Sequence, residues 1–99
     1  MLGDLDKILV EKVVKKNINQ IRNCYSRELN KNPNLAGKIS MKFVISKDGT
    51  VSKASVKKSS MGNKKVEGCL AEQFKRFKFP KPKGNGIVIV TYPFVFEPG

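Results

Sequence analysis

Apolar residues recur in this chain with two different periods. From Val14 to Leu29, the residues Val14, Ile18, Ile21, Tyr25 and Leu29 are three or four apart, the spacing of one buried helical stripe. The pattern predicts a first helix over about Asp6 to Asn30. Asp4 or Asp6 can accept hydrogen bonds from the free N–H groups of its first turn, and Asn32-Pro33-Asn34 ends it. The period then changes to two. Ile39, Met41, Phe43 and Ile45 alternate with Ser40, Lys42, Val44 and Ser46, as expected of a strand with one buried face. Asp48-Gly49 supplies a hairpin turn, and Val51, Ala54 and Val56 lie on the return strand. Its apolar phase slips between Val51 and Ala54, which predicts a bulge near Ser52 or Lys53.

Helical spacing returns at Val66, Leu70, Phe74 and Phe77 and predicts a second helix over about Asn63 to Lys78, closed by Phe79-Pro80-Lys81-Pro82. After the turn Gly84-Asn85-Gly86, the segment Ile87 to Phe96 is apolar on both alternating faces. Ile87, Ile89 and Val95 lie on one face, and Val88, Val90, Tyr92, Phe94 and Phe96 on the other. Pro93, which has no N–H to donate, argues for an edge position. The expected fold is α+β, in the order α-β-β-α-β. A three-stranded antiparallel sheet carries both helices on one face and leaves the other face and one edge poorly covered.

Ninety-nine residues make one small domain, for which a cross-link matters. Cys24 and Cys69 each lie beside the apolar stripe of a different helix, three residues after Ile21 and Val66. Two such helices on a common core can bring the sulfurs together. Spacing alone leaves a disulfide and two reduced core cysteines equally open.

Net charge is +12, which permits contact with nucleic acid, anionic lipid or other acidic polymers. The cations are spread from Lys7 to Lys83, which is also the pattern of a solvated surface. No run approaches the roughly 20 apolar residues of a membrane span, and the chain does not open like a secretory leader.

Catalytic chemistry is poorly provided for. The chain has no histidine, which excludes Ser-His, Cys-His and His-metal arrangements. Two cysteines do not complete a tetrahedral zinc site. The eight carboxylates (Asp4, Asp6, Glu11, Glu28, Asp48, Glu67, Glu72 and Glu97) show no spacing suited to acid–base work, and the glycines form no phosphate loop. The expectation is a protein that is not an enzyme and carries no cofactor or metal.

Two segments could bind a partner. Lys75 to Lys83 interleaves cations with Phe77 and Phe79, a pattern that can hold phosphates and stack bases; its plainer reading is a helix end with cations at the negative pole of the dipole. The terminal strand could accept an extended segment from a partner through its backbone edge, its plainer reading being an internally paired strand under helix cover.

A family resemblance bears on this choice. Asn19-Gln20-Ile21-Arg22-Asn23-Cys24-Tyr25 and Asn32-Pro33-Asn34-Leu35-Ala36-Gly37-Lys38 resemble the opening of TonB-like C-terminal domains of the gliding-motility type (AgmX/PglI). The likeness continues through Phe43-Val44-Ile45, Asp48-Gly49-Thr50-Val51, Val66-Glu67-Gly68-Cys69 and Phe79-Pro80-Lys81-Pro82 to Val90-Thr91-Tyr92-Pro93-Phe94-Val95-Phe96. These segments span nearly the whole chain in order, although the first helix is much longer than in TonB proper.

The resemblance implies a periplasmic domain at the end of a longer, inner-membrane-anchored protein, joined upstream to a motor complex. It implies an envelope protein or peptide as partner, bound by strand addition at Ile87, Val88, Ile89, Val90, Thr91, Tyr92, Phe94 and Phe96. It also implies a disulfide between Cys24 and Cys69, since both fall where motility-type members carry cysteines and the periplasm is oxidising. A homodimer through the same strand is compatible with this reading. Nucleic-acid binding through Lys75 to Lys83 is the alternative from a different functional class.

Overall fold

The computed structural model describes residues 5–84 and 86–98. Its elements are α1 (Lys7–Lys16), α2 (Ile18–Leu29), β1 (Gly37–Ile45), β2 (Val51–Ser59), α3 (Lys64–Lys75) and β3 (Val88–Phe96). The three strands form one antiparallel sheet in the order β2-β1-β3, with the helices on one face, as the alternation of Ile39, Met41, Phe43 and Ile45 requires. All four of those side chains are buried against Ile21, Val66, Leu70 and Phe74 from the helices.

The expected single first helix is two helices, which meet at Asn17. The Asn17 side-chain amide donates to the Val13 carbonyl at 2.8 Å, and its own N–H is shared between the Val13 and Val14 carbonyls. An asparagine competing locally for helix carbonyls loosens the ladder, and the backbone there leaves helical geometry at φ −106°, ψ 17°. Asp6 caps α1, accepting from the Ile8 N–H at 2.9 Å. Asp4, the other predicted cap, lies outside the described residues, as does Asn85 of the predicted Gly84-Asn85-Gly86 turn.

The second predicted helix is shorter than its apolar stripe. Asn63 caps α3 by accepting from the Lys65 and Val66 N–H groups, but the helix ends at Lys75 rather than Lys78. Beyond it the chain becomes extended. Lys78 bridges to Thr50, and the Phe79 N–H donates to the Gly49 carbonyl at 2.9 Å. Phe77 still reaches the core from this turn, which is why its helical spacing overstated the helix.

The hairpin is closed by three residues between Ser46 and Thr50. Gly49 holds a positive φ of 91°, and Asp48 accepts from both the N–H and the hydroxyl of Thr50. The predicted bulge is present: the register passes from Val44↔Lys53 to Ile45↔Val51, which leaves Ser52 unpaired. A second shift, between Ser40 and Met41, leaves Lys57 unpaired. Cys24 and Cys69 form a disulfide with Cα atoms 5.6 Å apart, stapling α2 to α3 across 45 residues of chain.

Candidate partner-binding edge

The β3 strand pairs with β1 along its whole length, from Gly37↔Phe96 to Ile45↔Val88. Its other side carries no strand among the described residues. Pro93 sits opposite Ser40 in this edge strand, a position in which the missing N–H is tolerated.

The two faces of β3 differ as the alternation requires. Val88, Val90 and Tyr92 turn toward the helices and are half-buried, while Phe94 and Phe96 are buried in the core. The Phe94 ring lies 5.7 Å from Phe74, and Phe96 lies 5.0 Å from Tyr25. Ile89 and Val95 point to the open face and are 50% and 66% exposed, with Thr91 exposed between them. Ile87, just before the strand, is also exposed. Among the predicted partner-binding residues, therefore, Phe94 and Phe96 contribute backbone at the edge while their rings belong to the core.

Periodicity gave no sign of the wall beside this edge. α1 faces β3 near its start and α2 faces it near its end, each across an open hollow. One, of about 300 Å3, is lined by Leu5, Lys7 and Val10 together with Val88 to Tyr92. The other, of about 640 Å3, is lined by Arg22, Tyr25, Ser26 and Leu29 together with Val95 to Glu97. The stripe of α1–α2 was legible, but not that its margin borders the strand, because spacing along a helix records which side is apolar and not what stands beside it. Tyr25 closes the inner side of the second hollow. Its hydroxyl donates to the Leu35 carbonyl, and burial, with the Glu97 carboxylate as a smaller cause, raises its pKa above the ordinary phenol value.

The basic stretch behaves differently from its sequence pattern. Phe77 and Phe79 are only 4% and 6% exposed, with Phe77 packed 4.8 Å from Phe74 and Phe79 5.6 Å from Phe43. Neither ring is free to stack on a base, although Lys75, Arg76, Lys78, Lys81 and Lys83 remain exposed. Among the described residues, no group of three or more potential metal ligands comes together. No helix among them is long and apolar enough to cross a membrane.

Comparison with family models, with curated proteins and with solved structures yields no match to this chain.

Proposed function

We propose that this chain is a non-catalytic, TonB-like interaction module of the cell envelope that captures an extended segment of a periplasmic or outer-membrane protein by strand addition to β3. The observation that carries the reading is a nine-residue edge strand with one side unpaired among the described residues, and with a hollow against α1 near its start and another against α2 near its end. An added strand would draw affinity from backbone hydrogen bonds and selectivity from alternate side chains entering those hollows. A periplasmic location suits the Cys24–Cys69 disulfide, and anchoring upstream to an inner-membrane motor would let the captured segment transmit force or position.

A second copy could compete for the same edge. Ile89 and Val95 are equidistant from Tyr92, so antiparallel pairing with Tyr92 opposite its counterpart would set Ile89 against Val95 at both ends of the junction.

Titration of the 15N-labelled chain with extended peptides taken from outer-membrane proteins tests the reading. Amide shifts and slowed hydrogen exchange are expected along Val88–Phe96 and in the flanking wall at Val10 and Tyr25. Perturbation confined to lysines away from β3 would sink the mechanism.

A further inference from the structure

The face of the sheet turned away from the helices carries a charge pattern that strand addition does not use. Across β1, β2 and β3 there are five lysines and no acidic residue. The one ion pair among the described residues, Lys31 with Glu28, lies elsewhere. The register sets out four of these lysines. Lys58 sits opposite Ser40, Lys42 opposite Ser55 and Lys53 opposite Val44, with Lys38 one step beyond on β1. The ammonium stems thus zigzag between two strands, and no lysine directly faces another, the arrangement that avoids cross-strand repulsion. All four are exposed. Lysines on an edge strand such as β2 can be explained as protection against edge-to-edge pairing. Lys38 and Lys42 cannot, because β1 is the central strand.

Beside the lysines, the same face presents the uncharged β3 row Ile89, Thr91, Pro93 and Val95. At one end, Lys38, Ser40, Lys58 and Ser60 line a shallow hollow of about 180 Å3, and their side chains carry donors of the kind a phosphate accepts from. We infer that this face docks on a bilayer surface rich in anionic phospholipid, with the lysine zigzag on the headgroup phosphates and Ile89 and Val95 at the acyl boundary.

The residue types decide between this surface and a nucleic acid. The four strand aromatics Phe43, Tyr92, Phe94 and Phe96 all turn to the helix side, so the open face has nothing on which bases can stack. It also has no arginine to make the two-pronged contact that reads a base edge. Lysines on flexible stems are point charges without fixed orientation, suited to mobile phosphates. Exposed aliphatic side chains beside them gain from an acyl boundary and gain nothing from a phosphodiester backbone.

Co-sedimentation of the chain with vesicles of phosphatidylcholine mixed with phosphatidylglycerol tests the inference, with pure phosphatidylcholine vesicles, soluble glycerophosphate and duplex DNA as parallel arms. Binding to the mixed vesicles alone, falling steeply with salt, is expected. Lys42→Gln, Lys53→Gln and Lys58→Gln together should weaken it by about fivefold per lysine. Lys12→Gln, Lys15→Gln and Lys64→Gln, which change net charge equally but lie on the helices, should weaken it far less. Ile89→Ser with Val95→Ser should lower the binding that remains at high salt. Circular dichroism and melting curves establish that each variant is folded. Equal losses for the two lysine triples would overturn the inference, as would indifference to the Ile89 and Val95 changes, or duplex DNA binding with the same dependence on Lys42, Lys53 and Lys58. Because no peptide partner takes part, failure here leaves strand addition at β3 untouched, and the converse also holds.

Discussion

The ring of Tyr25 on α2 lies 5.0 Å from that of Phe96 at the end of β3, and its hydroxyl donates to the Leu35 carbonyl in the connection to β1. One side chain thus joins a helix, a loop and the edge strand. Tyr25→Phe keeps the ring contact and strands the carbonyl. It should lower the thermal midpoint by roughly 5–10 °C while leaving the circular dichroism spectrum unchanged.

Tyr25 also sets a limit at alkaline pH. Its pKa is raised in the folded state, chiefly by burial, so the native state holds the phenolic proton more tightly than the unfolded chain. Its contribution to stability is complete below the ordinary phenol pKa of about 10 and is lost as pH rises past it. Urea midpoints should fall above that pH in the wild type and fall less in Tyr25→Phe.

The acid limb belongs in part to Asp48. Hydrogen bonds from the Thr50 hydroxyl and N–H lower its pKa, so the stability it lends is present above the unfolded value and lost as pH falls through the folded one. Asp48→Asn should flatten the decline of stability below about pH 4, which denaturant titrations at stepped pH would show.

Gly49 cannot be replaced cheaply. It holds φ 91°, and a Cβ there would be driven into the Phe79 carbonyl oxygen, a backbone atom that cannot swing away. Gly49→Ala should therefore cost about 3 kcal/mol in chemical denaturation, well above the usual penalty for a positive-φ glycine.

The staple between α2 and α3 closes 45 residues of chain. Cys24→Ser with Cys69→Ser should cost about 2–4 kcal/mol, and adding reductant to the wild type should reproduce the loss. Matching melting curves for oxidised and reduced chain would refute the assignment of a stabilising role to the bond.

Phe79 separates a packing role from a binding one. As a core residue against Phe43, it should lose about 3–5 kcal/mol on replacement by alanine. A ring kept exposed to stack on bases would instead leave stability nearly unchanged.

Local chemistry carried much of this architecture. Alternation placed Ile39, Met41, Phe43 and Ile45 on one face, and the phase slip after Val51 announced the bulge at Ser52, because the side-chain period of a strand is two whatever it packs against. Helical stripes located both helical regions and set Cys24 and Cys69 each beside the apolar stripe of its own helix, which left their pairing open until the packing of α2 on α3 joined them. They overran at Phe77, because an apolar residue reaches a core equally well from a turn that follows a helix. The break at Asn17 is not legible in the spacing, because asparagine is tolerated inside helices unless its side chain turns back on a carbonyl.

Pro93 pointed to an edge position for β3, but the strand order β2-β1-β3 was decided in three dimensions, and with it the hollows that α1 and α2 make beside that edge and the lysine zigzag of the open face. In the sequence, Lys38 and Lys58 stand twenty positions apart and signify only charge. Antiparallel pairing at a fixed register makes them neighbours. Periodicity along a chain fixes which way each side chain points, whereas only the closing of the sheet determines what stands next to it.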